Sequence, residues 1–330
     1  MSFIALLLSV FTVVELNCEN LFDTVDDSLK QDEEFLPASS HHWTPYRYWT
    51  KLNHIGQEIL SCAMFDSAEV IPDLVALTEV ENDTVMRDLT KRSLLRQAGY
   101  EYIVTDSPDQ RGMNVALLYS PFSFRLINSR SIRIPPLRHF RPTRDILYAS
   151  GEVTTGDTLH VFVVHAPSRS DGEKATRPYR LHVAHQLGRG IDSLRAVSPH
   201  PKIIVAGDFN DYTRDASIQF LLSQRLRDVS ALARGSHGAK GTYRYRGEWG
   251  SLDHILCDER MAALLVRCCI NDLSFLLEED KKYGGVKPRR TYLGPRYLGG
   301  FSDHLPLVAV FDWEKGNGKS IQNSKFKIHK

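Results

Sequence analysis

The chain is poor in cysteine, and what it has is arranged neither to bind a metal nor to staple a fold. Among its 330 residues, Cys18, Cys62, Cys257, Cys268 and Cys269 form no CxxC pair, and no histidine stands at zinc-finger spacing. The odd count argues against a disulfide framework. Cys18, Cys62 and Cys257 lie in apolar or periodic segments and read as small core residues. Nor is there an excess of either charge: 41 Lys and Arg against 40 Asp and Glu leave +1, so nothing draws the whole molecule to a polyanion. Any nucleic-acid binding must come from a local surface. No apolar run is long enough to span a bilayer. The run Phe3-Ile4-Ala5-Leu6-Leu7-Leu8 is like the apolar part of a secretory signal, but no Lys or Arg precedes it and no small-residue cleavage pattern follows. A cytoplasmic and an exported location both stay open. No repeat of fixed period and no linker-like stretch divides the chain.

What remains is ordinary for a globular protein, with 42% hydrophobic and 25% charged residues. Strand patterns fall at Phe11 to Leu16, Asp73 to Leu77, Glu101 to Thr105, Val115 to Tyr119, Phe124 to Ile134, Ile146 to Val153, Leu159 to Val164, Leu252 to Cys257 and Leu305 to Phe311. Helical spacing marks Arg47 to Ala63, Asp83 to Ala98, Ala175 to Leu194 and Ala216 to Gln224. Arg267 to Gly300 reads as irregular. Sequential strands with interspersed helices predict an α/β protein, a four-layered sandwich of two packed mixed sheets flanked by helices. One domain is expected over 11–313, with an apolar lead-in or signal remnant at 1–10 and a disordered polar, basic tail at 314–330.

The chain is organised around Lys202-Ile203-Ile204-Val205-Ala206-Gly207-Asp208-Phe209-Asn210. Four apolar residues between Pro201 and Gly207 predict a buried strand, and Asp208 and Asn210 follow on alternate positions, so both can face one way at its end. Alone, this is a polar turn after a core strand. Polar groups of suitable chemistry recur at other strand ends: Asn17, Glu79, His165, Asp253 and the pair Asp303-His304. Strand ends in one sheet can converge on a single rim. Oxygen ligands such as Glu79, Asp303 and Asn17 suit a hard divalent cation. Phosphoester hydrolysis needs an activated water, neutralised phosphoryl charge and a proton for the leaving oxygen. His165 and His304 titrate in the range where protons are moved, and a buried Asp253 can hold an imidazole in one tautomer. Each residue alone has a plain reading as a cap or turn; all of those readings would have to hold together.

The ordered set Asn17, Glu79, His165, Gly207-Asp208-Phe209-Asn210, Leu252-Asp253-His254 and Ser302-Asp303-His304 resembles the endonuclease/exonuclease/phosphatase superfamily over residues 11 to 313. Asn17-Cys18-Glu19-Asn20-Leu21-Phe22-Asp23 and the Arg111-Gly112 turn resemble a bacterial branch of it. The resemblance implies that Glu79 is the main Mg²⁺ (or Mn²⁺) ligand, with Asn17 beside it or hydrogen-bonding the metal-site carboxylates. Asp208 would orient or deprotonate the attacking water, or pass a proton to the leaving oxygen, and Asn210 would hold a phosphoryl oxygen. Asp253 and His304 would pair, with Asp303 assisting the metal or the histidine. His165 stands where deoxyribonucleases and sphingomyelinases carry a second histidine and abasic endonucleases a tyrosine.

The activity implied is a metal-dependent phosphodiesterase. A nuclease on DNA or RNA is the leading expectation, a phosphatase or phospholipase-type hydrolase of a small or lipid phosphoester the alternative, and a non-catalytic binding module the least favoured. A monomer without a transmembrane span is expected. Arg111, Arg144, Arg177 and Arg180 are candidates for flanking phosphates, each weighed against an exposed helix face or a simple ion pair. Lys281 to Tyr297 interleaves basic residues with Tyr283, Tyr292 and Tyr297, a mixture that suits a single strand or an ordinary exposed loop.

Overall fold

The computed structural model describes residues 10–64 and 71–315. The apolar lead-in and the basic tail of the sequence reading lie almost wholly outside these residues.

Twelve strands among the described residues, taken in chain order, build two six-stranded sheets. β1 (Val10–Leu21), β2 (Leu74–Val80), β3 (Glu101–Val104) and β4 (Asn114–Tyr119) begin the first sheet. The second consists of β5 (Phe124–Ile132), β6 (Ile146–Val153), β7 (Thr158–His165), β8 (Lys202–Asp208), β9 (Leu226–Asp228) and β10 (Asp253–Asp258). β11 (Leu265–Ile270) and β12 (Leu307–Asp312) return to the first. The spatial orders are β11-β12-β1-β2-β4-β3 and β5-β6-β7-β8-β10-β9. Each sheet carries one parallel pair at its centre, β1 with β2 and β7 with β8, flanked by antiparallel neighbours.

Alternation of side chains along these central strands explains the four layers. On β8, Ile204 and Ala206 join Val13, Leu74, Ala76, Val161 and Val163 in the core between the sheets. Ile203 and Val205 point the other way, against Val183, Leu187 and Ile191 of α3 (Glu173–Val197), reached after α1 (Pro45–Met64) and α2 (Asp83–Arg87). A strand buried on both faces must be apolar at every position, which is why it reads as an unbroken run. Val14, Leu16 and Cys18 of β1 pack outward on Leu52, Ile55, Ile59 and Cys62 of α1. All five cysteines are free thiols. A short helix, α4 (Ala216–Ser223), adds Ile218 and Leu221 to the α3 layer, and another, α5 (Glu259–Leu264), turns Met261 and Leu264 into the core between the sheets.

Two expectations need correction. The helix read over Asp83 to Ala98 is broken into α2, a π-helical turn at Asp88–Arg92 and a 3-10 turn at Leu94–Ala98. Ser93 is the cause: its backbone is extended, and its hydroxyl donates to Leu89 O and accepts from Leu95 N, offering the chain a local alternative to the helix ladder. Arg267 to Gly300 is less irregular than expected. It contributes most of β11 and two small hairpins, one pairing Leu277–Glu279 with Val286–Pro288 and one pairing Tyr292–Leu293 with Arg296–Tyr297.

Candidate active site

The C-terminal ends of the four parallel-paired strands open on one rim between the sheets. Alternation aims Asn17 of β1, His165 of β7 and Asp208 of β8 toward it, and His165 and Asp208 are direct partners in the β7–β8 ladder. Asp208 is also the cross-strand partner of Asp253 in β10. Glu79 would miss the rim if β2 stayed regular, because Val75 and Leu77 face α1 and Glu79 continues their side. A bulge between Thr78 and Val80, with Glu79 at φ +59°, turns its carboxylate inward. Glu19, Asn20 and Asn210 also have left-handed backbones, so four non-glycine residues of the rim hold conformations that cost of order 1 kcal/mol each. Gly207 has no alternative: at φ +151° an added Cβ would stand 1.8 Å from Val164 O.

The polar groups meet in a connected set. The Asn17 amide Nδ2 donates to Glu79 Oε1 (3.2 Å) and Asp208 Oδ2 (3.1 Å). Its Oδ1 accepts from Glu19 N (2.9 Å), so Asn17 is oriented as a spacer between two carboxylates. His165 Nε2 lies 3.9 Å from both Glu79 Oε1 and Asp208 Oδ2. Asn210 N donates to Asp208 Oδ1 (2.8 Å), and its Nδ2 to Asp208 Oδ2 and Ala166 O (both 3.2 Å). His304 Nδ1 is 2.8 Å from Asp253 Oδ2, an oxygen that also accepts from Thr242 Oγ1. Ligand atoms of Asp208, Asp253 and His304 all lie within 4.8 Å of one another.

Charge is distributed unevenly. Burial drives His304 toward neutrality, but Asp253 overrides it and holds the imidazole well above its ordinary value, hence protonated at neutral pH. Burial, then the charge of Asp253, pushes Asp208 up to about 7. His165 is driven well below its ordinary value by burial and by Arg144, His304 and Arg111, and is neutral. The site therefore offers a carboxyl able to hold or release a proton, an imidazolium and a neutral imidazole. The oxygen donors suit a hard divalent cation: Glu79 keeps 21% of its side chain exposed, and Asn17 and Asp208 adjoin it.

The remaining expected residues divide between the margin of the rim and the helix layer. Asp303 is held by Arg290 Nη2 (3.0 Å), which also lies against Glu19. Arg111 borders the rim, with Nη2 on Asn20 Oδ1 (2.6 Å). Arg144 also borders it, bonded to Ala166 O (2.9 Å) and paired with Asp109; Asp145 takes Arg133 instead. Arg177 is exposed and pairs with Glu173 along α3. Arg180 corrects both readings of it, phosphate ligand and solvated face: it is buried, bonded to Asp211 Oδ1 (2.6 Å), Thr176 Oγ1 and Glu173 O. Two residues escaped the sequence reading, Tyr243 and Glu15, and Arg290 stood there only as one of the basic groups of Lys281 to Tyr297. Tyr243 packs its ring 4.8 Å from that of His304. Arg290 braces Asp303. Glu15 is buried between the sheets two residues before Asn17; neither oxygen has a hydrogen-bond partner among the described residues, and burial with Asp253 and Asp208 keeps it in the neutral form. Glu15 left one signal, a charge in the middle of FTVVEL.

A family profile described as the endonuclease/exonuclease/phosphatase family matches residues 12–312. No curated protein matches the chain. Several solved structures share the fold. The mannosyl-6-phosphatase Bt3783 of Bacteroides thetaiotaomicron aligns with TM-score 0.60 and 16% identity, over 91% of this chain and 98% of that one. The catalytic domain of human Nocturnin with bound sulfate aligns with TM-score 0.54 and 19% identity, over 92% and 94%. Truncated TDP2 of Caenorhabditis elegans aligns with TM-score 0.55 and 16% identity, over 92% and 97%.

Proposed function

This chain belongs to the endonuclease/exonuclease/phosphatase family, and we propose that it is a divalent-metal-dependent phosphodiesterase acting on nucleic acid. The observation that carries the reading is the gathering of Asn17, Glu79, His165, Asp208, Asn210, Asp253 and His304 on one rim from six separate places in the sequence. Glu79 would hold the cation, with Asn17 fixing the gap between Glu79 and Asp208. When bound, such an ion supplies charge neutralisation at the phosphoryl oxygens.

The chain's own groups divide the rest of the work. Asp208 takes a proton from the attacking water as a carboxylate, or gives one to the leaving oxygen as the acid; a value near 7 allows either. Asp253 fixes the His304 imidazolium, whose charge faces the phosphoryl group. His165 would donate to a phosphoryl oxygen, and Asn210 would do so by turning its Nδ2 away from Asp208 and Ala166 O, which hold it in the free site. Arg111, Arg144 and Arg290 at the margin suit flanking phosphates. Asp303, braced by Arg290, supports the wall beside His304.

A second reading, hydrolysis of a small phosphomonoester, is favoured by the net charge of +1 and by the fold shared with a mannosyl-6-phosphatase. One screen separates the two: single-stranded and duplex DNA and RNA, bis(p-nitrophenyl) phosphate, sugar phosphates and phospholipids, each with Mg²⁺ or Mn²⁺ and a His304→Ala control. Metal-dependent cleavage of nucleic acid, lost in the control, supports the first reading. Turnover of a sugar phosphate or lipid alone replaces it with the second.

A further inference from the structure

We propose that the hairpin joining Tyr243–Tyr245 to Glu248–Gly250, with the Leu277–Glu279/Val286–Pro288 hairpin packed against it, is a stacking platform for unpaired bases of a single-stranded nucleic acid. The proposal rests on the nuclease reading of the site and names the form of its substrate.

The platform begins at the catalytic histidine. Tyr243 makes an isolated bridge to His304 and lays its ring 4.8 Å from the imidazole. Alternation puts Tyr245 on the same face as Tyr243, about 6.8 Å further along the strand. There it is 58% exposed, so its ring is open to a ligand beside the polar site. Arg244 points to the opposite face and is spent on structure, bonded to the carbonyls of Gly247, Val286 and Gly284 and paired with Asp280. These bonds tie one hairpin to the other. At the closest approach, a Cβ on Gly247 would meet Tyr283 Cβ at 2.8 Å, so only glycine allows the two to pack.

The turn itself points to use of its side chain. Arg246 (φ +50°) and Gly247 (φ +89°) close the hairpin with two left-handed residues, a geometry that Asn or Asp before Gly adopts at least cost. The chain places arginine there instead, with its guanidinium 5.1 Å from the Tyr245 ring centroid. On the second hairpin Lys282 stands 4.9 Å over the exposed Tyr283. Each tip thus presents an aromatic face beside a cation, the pairing that base stacking and phosphate contact use.

The charge balance narrows the ligand. The exposed Arg246, Lys281 and Lys282 are largely offset by the exposed Glu248 and Glu279, and Lys287 is paired with Glu278. Stacking rather than net charge must supply the affinity. Duplexes hide their base faces, so they are excluded, and the salt dependence of binding should be shallow.

The test is fluorescence anisotropy of labelled oligothymidylate with the full chain in an Asp208→Asn background, which keeps the strand intact. Tyr245→Ala should weaken binding at least fivefold, and Tyr245→Phe, which retains the ring, should restore it. Equal affinity for Tyr245→Ala and its parent, no measurable binding, or a duplex bound as tightly as the single strand would each overturn the platform. Turnover of bis(p-nitrophenyl) phosphate by the unmodified chain separates the two readings. Turnover without Tyr245-dependent binding keeps the chemistry and loses the platform. Tyr245-dependent binding with no metal-dependent hydrolysis of any substrate loses the chemistry and keeps the platform.

Discussion

Asp208 and Asp253 are direct partners across the β8–β10 ladder, yet His304 lies in hydrogen-bond contact with only one of them. Burial, and then the neighbouring charge of Asp253, push Asp208 up to about 7, so Asp208 can hold or release a proton near neutral pH. Asp253→Asn should therefore damage catalysis through His304, whose charge and tautomer it fixes. We expect kcat to fall by about 10²–10⁴ with little change in thermal stability. Steady-state hydrolysis of bis(p-nitrophenyl) phosphate measures it; a loss under tenfold would remove Asp253 from the mechanism.

Glu79 governs the metal. Chelation by EDTA should abolish turnover, and added Mg²⁺ or Mn²⁺ should restore it. Glu79→Gln keeps the bond from Asn17 but removes the charge, so the Mg²⁺ concentration for half-maximal rate should rise about tenfold or more. An unchanged Mg²⁺ requirement in that variant would assign the cation to other ligands.

The fold was legible in the sequence where pattern and burial coincide. The run Ile203 to Ala206 is apolar at every position because both of its faces are covered, and Asp208 ends it because the sheet ends there. The rim was legible as residue types in order, but not as geometry. Glu79 reaches it through a bulge that no periodicity announces. Arg180 and Arg177 look alike in sequence, and only the packing of α3 on Asp211 separates a buried cation from an exposed one. Lys51 and Glu58 were hidden for the same reason, since the apolar stripe of α1 gives no hint that two charges share its buried side.

Arg180 and Asp211 form a buried pair whose members cannot be separated at low cost. Arg180→Met should destabilise the chain by about 2–4 kcal/mol, because it leaves the buried Asp211 carboxylate with only the longer Arg169 contact (3.4 Å) and the Ser217 hydroxyl. Arg177→Ala, three residues earlier, should change stability by less than about 0.5 kcal/mol. Chemical denaturation of the two variants makes the comparison. Similar stabilities would return Arg180 to the list of surface cations.

Glu58 gives the pH dependence of stability a definite sign. It is fully buried on α1, neither carboxylate oxygen has a hydrogen-bond partner among the described residues, and burial pushes it up to about 8. Between about 4.5, its ordinary value, and 8, the folded chain holds a proton that the unfolded chain has released. Stability must then fall as pH rises through that window, by an amount on the order of a few kcal/mol from this residue. Above it, the cost of a buried charge is present in full. Glu58→Met keeps the volume and removes the ionisation, so it should raise the melting temperature at pH 8.5 and lose most of that advantage at pH 5. Thermal unfolding of both proteins at the two pH values reads the difference directly. An equal shift at both would mean that Glu58 does not change its protonation between the folded and unfolded chain.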